Sequence, residues 1–380
     1  MSKRQRSDPR YDGARRYRSD HRDDGAKRPR HGQKRLYVVL DDWEKGYSIH
    51  KIDDHAFEDS RFGLRADELE LAHPPAVRLE ESRRGVLVGA LGSKIVALWQ
   101  PTAANRAVAY DTKTAGLAVG PPHPDALRTM RFVVAVGKRL CVMHEGGVHC
   151  LDLEAEGQNQ WAWTQVSSSP LRLPGCEDDP DVPMEITAYA VHPDGRTVFV
   201  SAHAMGRVPR SAYAGTFSLD TGGDGDAEWK LRGEWLLPFQ GQGHYDARLD
   251  AWVGLHSPRY LCTCDVPAPL ADQPSFADED TPAQPKPSWE LVSAAGQFSA
   301  DPDPRRGDSA ASLVSMSDGE FCVVESLLAK DGYVQLRLTG FRLQRDRHGQ
   351  LSASSSRHRG ALSCQVHKFD SMFSPRAFCM

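Results

Sequence analysis

Residues 85–99 have the sequence GVLVGALGSKIVALW, two short runs of apolar and β-branched residues separated by a Gly-Ser turn. The arrangement recurs at 132–143 (FVVAVGKRLCVM), 186–200 (ITAYAVHPDGRTVFV) and 312–324 (SLVSMSDGEFCVV). A glycine between two such runs is a strong hairpin signal, because glycine tolerates the positive φ that a tight turn requires. The sequence therefore predicts four β-hairpins.

A third β-type run follows most of these hairpins and ends on an aspartate. The four aspartates lie 41, 68 and 45 residues apart: Asp111, Asp152, Asp220 and Asp265. This spacing brackets the ~40–50 residues of a four-stranded propeller blade, with one long insertion. A run that carries tryptophan often comes next, and we expect these side chains to pack between blades: Trp161, Trp163, Trp229, Trp235 and Trp289.

Residues 36–380 are therefore predicted to form a single all-β propeller of about six four-stranded blades, with five to seven compatible with the repeat. Sheets arranged radially cover one another, which a lone four-stranded sheet cannot do. Blades are expected to start near Gly85, Phe132, Ile186 and His244, with an irregular fifth over 312–344. The terminal strands Leu36–Leu40 and Tyr47–Ile52 are expected to join Cys364–Phe369 in a sixth blade, which closes the ring from both ends.

Insertions interrupt this repeat at three places. They are 54–84, with a short helix at 66–71, the acidic stretch 174–185, and the proline-rich stretch 267–288. Such loops lie on one rim of a propeller, and we expect partners to bind there.

Residues 1–35 differ in composition from the rest of the chain. They carry 13 Lys and Arg against 5 Asp and Glu, a net charge of +8, whereas the remainder carries 34 against 46, a net charge of −12. With almost no aliphatic residue, this tail is expected to be disordered. Five of its cations fall within nine residues, a pattern typical of a nuclear-import signal: Lys27, Arg28, Arg30, Lys34 and Arg35. A solvated leader without a partner and a nucleic-acid contact are the alternatives, and the acidic body disfavours nucleic acid.

The sequence contains neither a signal peptide nor a run approaching the roughly 20 apolar residues of a membrane span. We therefore expect a nuclear or cytoplasmic protein that is neither secreted nor inserted in a membrane. Its eight cysteines form no C-x-x-C pair and are expected to be reduced thiols.

Local catalytic and cofactor motifs are missing from the sequence: it has no G-x-S-x-G, Walker loop, G-x-G-x-x-G or H-E-x-x-H. Cys262 and Cys264 with His256 suggest a metal site, but core thiols are favoured because no further ligand is evident. Asp220, Asp224 and Asp226 lack calcium-loop spacing and indicate an acidic loop. Six histidines near strands are expected to cap or pack: His144, His149, His192, His203, His244 and His256. We predict no catalytic residue, metal or cofactor.

Several segments together resemble a grass-plant family of uncharacterised proteins, domain of unknown function sixteen sixty-eight. They are 36–43, 46–49, 92–97, 110–114, 187–195 and 216–221, within a resemblance that spans Leu36 to Phe369. The resemblance implies a plant protein similar to kelch-type propellers, without an established biochemical activity. Gly146-Gly147 followed by Trp161 is similar to the kelch pattern, which the other blades lack.

The sequence thus favours a non-enzymatic, kelch-like protein-interaction scaffold with an unidentified protein partner. One alternative is a hydrolase or lyase with its site in the central channel, because such sites are assembled from distant loops. The other is a nucleic-acid-associated protein that binds through its basic tail. Carboxylates and histidines that converge at the channel mouth would favour the enzyme, whereas an apolar or mixed surface patch would favour binding.

Overall fold

The structure, a computed structural model, describes residues 35–52, 74–81, 85–99, 106–153, 161–173, 182–205, 213–223, 225–257, 260–268, 284–292, 310–317, 319–328, 333–354, 361–370 and 373–380. Within these ranges the chain forms 25 β-strands and one 3₁₀ helix, Asp125–Thr129. The prediction of an all-β fold is confirmed.

Most strands form antiparallel meanders of four. The first three strands are β1 (Leu36–Trp43), β2 (Gly46–Ile52) and β3 (Val77–Glu80). The second sheet holds β4 (Val86–Leu91), β5 (Lys94–Trp99), β6 (Arg106–Asp111) and β7 (Gly116–Pro122). The third holds β8 (Met130–Val136), β9 (Arg139–His144), β10 (Gly147–Asp152) and β11 (Ala162–Ser167).

The later strands repeat this order. The fourth meander holds β12 (Met184–Val191), β13 (Thr197–Ala204), β14 (Ala214–Asp220) and β15 (Lys230–Gly233). The fifth holds β16 (Gln240–Asp246), β17 (Ala251–Ser257), β18 (Tyr260–Asp265) and β19 (Trp289–Leu291), and parallel pairing of β12 with β16 joins it to the fourth. The sixth holds β20 (Ala310–Ser317), β21 (Glu320–Leu328), β22 (Tyr333–Arg345) and β23 (Leu351–Ser354), with β24 (Ala361–His367) also paired to β22. The last strand is β25 (Arg376–Cys379).

All four predicted hairpins and all four strands ending on aspartate are confirmed. The turn glycines Gly92 and Gly195 have φ of +60° and +72°, the left-handed region that favours glycine. Two of these aspartates accept a hydrogen bond from the backbone N–H two residues on, which stabilises the turn after the strand. Asp111 Oδ1 accepts from the N–H of Lys113 at 2.9 Å, and Asp220 Oδ1 from that of Gly222 at 2.9 Å.

Buried apolar side chains form six clusters in the described parts of the chain, and each lies between two consecutive meanders. One of them joins the sixth meander to the first, for example through Val324 and Val38. Because each sheet is covered on both faces, most residues of its middle strands are buried. In β13 all eight residues are buried.

The C-terminal strand of the first sheet differs from the predicted one. β25 pairs with β1 from Leu36↔Cys379 to Val39↔Arg376, in the strand order β25-β1-β2-β3. The prediction that Cys364–Phe369 fills this place is wrong, since β24 pairs with β22 instead. β22 has 13 residues, long enough for its last four to pair with β23 and its first seven with β24.

Buried carboxylates hold the segment that leads into β25. Asp41 Oδ2 accepts a hydrogen bond from the backbone N–H of Asp370 at 2.7 Å, and the Tyr47 hydroxyl donates to Asp370 Oδ2 at 3.0 Å. Burial raises the pKa of Asp41 above its usual range. These contacts fix the C-terminal segment against β1 and β2, and so position β25.

One pair of cysteines contradicts the expectation of eight reduced thiols. Cys141 on β9 and Cys150 on β10 are directly opposite in the hairpin register, and they form a disulfide. Their pairing depends on that register, which the nine-residue separation in sequence does not reveal. The other described cysteines lie outside this disulfide: Cys262, Cys264, Cys322, Cys364 and Cys379.

Several predictions fall outside the described residues: the disordered tail over 1–34, the helix at 66–71, the acidic residues 174–181, and 269–283 of the proline-rich insertion. Among the described residues, no helix has the length and apolar character needed to cross a membrane.

Candidate binding sites: the central cavity and an exposed outer strand

The cysteines considered as metal ligands are core side chains. Cys262 and Cys264 are buried in a cluster with Trp252 and Phe199, and burial raises the pKa of each thiol to about 12. His256 instead hydrogen-bonds the carbonyl of Pro238 and stacks on Trp289. The core interpretation is confirmed. Across the described ranges, no group of three or more His, Cys, Asp or Glu is placed to hold a metal ion.

The acidic residues at and after the end of β14 contact neighbouring segments of the chain. Asp220 pairs with Arg196 at 3.2 Å, and Asp226 Oδ1 accepts a hydrogen bond from the backbone N–H of Ser168 at 2.7 Å. Asp224 lies outside the described residues. Both described carboxylates therefore organise neighbouring backbone, in agreement with the acidic-loop interpretation.

The six candidate histidines mostly make structural contacts. His144 and His149 are buried and joined by a 2.9 Å hydrogen bond, while His192 lies 3.2 Å from Asp194 and His203 lies 3.4 Å from Glu185. Gly146 N–H donates to His144 Nδ1 at 3.1 Å, which leaves Nε2 of His144 to donate to His149. Of the six, His244 differs because it lines a cavity.

This central cavity, about 290 Å³ in volume, is lined by one strand from each meander. The six strands, called inner strands below, are β4, β8, β12, β16, β20 and β25. A second cavity of about 260 Å³ shares Gln240, Gly241, Ala311, Ser312 and Arg376 with it, so the two are adjacent. The described lining residues of both include one arginine and one histidine, and no Asp or Glu.

The inner strand β16 is irregular. It begins Gln240-Gly241-Gln242-Gly243-His244, without an aliphatic residue, and its register with β17 shifts between Gln240 and His244. Gly241 has φ +68°, and a Cβ on Gly243 would come 2.5 Å from the Phe239 ring. A bulge of this kind re-aims side chains. Here the two glutamines and the histidine all line the cavity.

Arg376, at the start of β25, lines both cavities and is exposed. Burial raises the pKa of the Tyr189 phenol on β12, and the positive charge of Arg376 opposes that rise. The Tyr189 ring is stacked on Phe132 with centroids 4.2 Å apart. Gln242 lies opposite Tyr189 in the parallel pairing of β12 with β16.

Sequence reasoning missed Gln240, Gln242, Tyr189 and Arg376 as functional candidates. A signal for the glutamines was present, because an inner strand of alternating glycine and polar residues departs from the apolar pattern of the other hairpins. Arg376 had no such signal, since the strand that positions it was not predicted.

A second candidate surface lies on β7, the outer strand of the second sheet. Leu117 and Val119 are 53% and 66% exposed, the two highest values among the large hydrophobic side chains described. They are two residues apart in the uncharged run Gly116–Gly120 (GLAVG). Gly120 is covered by Trp161, with which a Cβ would collide at 2.5 Å. The strand is thus anchored while two apolar side chains face solvent.

The residues of the predicted import signal lie outside the described part of the chain, except for Arg35. Arg35 is exposed, and its backbone N–H and C=O both pair with Met380, at 2.8 and 2.9 Å.

Solved structures similar to this chain include bacterial enzymes and a fungal propeller. The periplasmic gluconolactonase PpgL of Pseudomonas aeruginosa has 11% identity and a TM-score of 0.43, over 90% of this chain and 98% of that one. The β-propeller domain of Cps50 (Swd1) from Myceliophteria thermophila has 11% identity and a TM-score of 0.32, over 72% and 88%. The oligogalacturonate lyase of Vibrio parahaemolyticus has 6% identity and a TM-score of 0.32, over 84% and 72%. At these levels the similarities carry no inference about activity.

No curated protein matches the sequence. A family model described as "Protein of unknown function (DUF1668)" matches residues 33–362, which include 24 of the 25 strands either whole or in part. The match agrees with the segments that resemble this family, from the first strand through the sixth meander. The chain therefore belongs to the DUF1668 family.

Proposed function

We propose that the six meanders are the blades of one propeller, and that the protein is a non-enzymatic scaffold for a protein partner. Support for six blades comes from the six inner strands that line one cavity and the six apolar clusters between consecutive sheets. The kelch-like and grass-plant parts of the resemblance stay predictions.

The exposed apolar pair on β7 carries the binding proposal. An outer strand has one edge of unpaired backbone groups, and soluble proteins protect such edges with charges or prolines. In β7 prolines occupy only the last two positions, and the first five residues have neither a charge nor a proline. Leu117 and Val119 project apolar surface beside that edge. This combination suits an extended, apolar segment of another protein that adds a strand to the sheet.

We expect Val119→Lys to weaken binding of such a segment at least tenfold, because lysine places a charge where apolar contact is needed. The measurement is selection of a random-peptide display library on the wild-type protein, followed by titration of the selected peptides. Leu231→Lys, on the outer strand β15, is the matched control and should leave affinity unchanged.

Two outcomes would contradict this assignment. One is that no apolar peptide family is selected, or that the selected peptides bind Val119→Lys as tightly as wild type. The other is self-association of the wild type that Val119→Lys abolishes, since the occupant of β7 would then be a second copy of the chain.

We assign no reaction to the central cavity. General acid–base hydrolysis or elimination requires a proton donor and acceptor placed around the substrate. The described lining supplies His244 and Arg376 but no carboxylate, so no observation favours the hydrolase or lyase alternative.

We also propose that the basic cluster directs the protein to the nucleus through an import receptor. A fluorescent reporter fused to residues 1–35 should accumulate in nuclei, because extended basic segments fit the acidic grooves of such receptors. Replacing Lys27, Arg28 and Arg30 with glutamine should abolish the accumulation. An even distribution of the original fusion would contradict the import role. If residues 1–35 instead bind nucleic acid with an affinity that falls steeply as salt is raised, and do not direct import, the nucleic-acid alternative is supported.

A further inference from the structure

We propose that the central cavity is a binding site for a small oxyanion, a carboxylate or phosphate group, held between Arg376 and the polar residues of β16. The site lies in a different part of the fold from β7 and does not depend on the protein-binding role.

Charge is the first argument. Arg376 forms no ion pair with any described residue, and the described lining residues of both cavities include no Asp or Glu that would neutralise it. The planar fork of N–H donors on Arg376 matches the oxygens of carboxylates and phosphates.

Neutral donors are the second argument. Tyr189 lines the cavity and carries a phenolic O–H donor, and its stack on Phe132 fixes the ring. Gln242 lies beside it in the register of β12 and β16, and an amide group supplies two further N–H donors. Gln240 lines both cavities together with Arg376. An anion entering past Arg376 therefore meets hydrogen-bond donors without a competing negative charge.

The irregular backbone of β16 is the third argument. Glycine within a strand marks close approach of another group, and bulges re-aim side chains beside binding sites. The Phe239 ring fills the space beside Gly243, and His244 Nε2 donates to the carbonyl of Leu313 on β20 at 2.8 Å. These contacts hold the irregular strand in place, so its polar side chains are preorganised around the cavity.

Size limits the ligand. The central cavity has a volume of about 290 Å³. This lies at the small end of ligand pockets. The second cavity adjoins it and shares Arg376. The occupant is accordingly a small organic anion or inorganic phosphate rather than a polymer.

Isothermal titration calorimetry of the full chain, at constant ionic strength set with NaCl, tests the proposal with sodium phosphate and sodium acetate as probes. We expect saturable one-site binding of at least one probe. Arg376→Gln should weaken it at least tenfold, since a charge-assisted hydrogen bond is lost. Tighter binding of phosphate would identify a phosphate-bearing ligand, and tighter binding of acetate a carboxylate.

Variants separate binding from folding. Arg376→Lys keeps the charge but loses the planar fork of donors, so it should bind less tightly than wild type and more tightly than Arg376→Gln. Gln242→Leu should weaken binding several-fold with Arg376 intact. Arg342→Gln, an exposed arginine on β22 outside the cavity, is the matched control and should bind like wild type. The proposal is overturned if neither probe binds the wild type saturably, or if Arg376→Gln and Gln242→Leu, folded by their melting curves, bind as tightly as wild type.

Discussion

Replacing Trp252 with alanine is expected to lower the free energy of unfolding by about 3–5 kcal/mol. Trp252 on β17 is 0% exposed and lies in the cluster between the fourth and fifth meanders. Its ring meets that of Phe199 edge-on at 5.2 Å, and its Nε1–H donates to the carbonyl of Val191 at 3.0 Å. The alanine variant would leave a cavity among these groups and a carbonyl without its donor. Urea unfolding followed by circular dichroism measures the change.

Trp289→Ala is the matched control for this experiment. Trp289 is on β19 of the same meander but is 38% exposed, so its truncation should cost less than half as much. Equal destabilisation by the two variants would show that burial between meanders is not what holds these sheets together.

Acidification from pH 7 to 5 is expected to destabilise the fold by about 2 kcal/mol through His144. Burial and the neighbouring His149 lower the pKa of His144 from 6.5 to about 4, and burial also lowers that of His149. Between pH 6.5 and about 4 the unfolded chain thus binds more protons than the folded one. Stability present above pH 6.5 is therefore lost as pH falls through this window, at about 1.4 kcal/mol per pH unit.

Urea unfolding of wild type and of the double variant His144→Gln/His149→Gln, each at pH 7 and pH 5, measures this loss. The double variant should lose less stability than wild type on acidification, and the exposed His348→Gln should behave like wild type. If the double variant were equally sensitive to acid, the pair would not be the group that titrates.

Local signals made much of the fold predictable. The four hairpins depend on turn residues such as Gly92 and Gly195, and the third strands on an aspartate that caps the following turn. Both signals operate within a few residues, so the sequence displays them directly. By contrast, β25 has four residues and pairs with β1 more than 300 positions away, and no local pattern encodes that pairing.

The candidate sites also have features that the sequence displays directly and features that depend on the fold. The glutamines of β16 are conspicuous in sequence, but their proximity to Arg376 and Tyr189 follows from the arrangement of inner strands that are distant in the chain. Leu117 and Val119 look like ordinary strand residues in sequence. Their exposure follows from the place of β7 at the edge of its sheet, in the strand order β4-β5-β6-β7.

The pairing of β1 with β25 also bears on circular permutation of the chain. Residues 35 and 380 are joined by two backbone hydrogen bonds, so a short linker could span them without disturbing either strand. Circularly permuted versions could then begin at another exposed turn, such as the one at Lys113 and Thr114 between β6 and β7. The order in which the sheets are synthesised is thus separable from the order in which they pack.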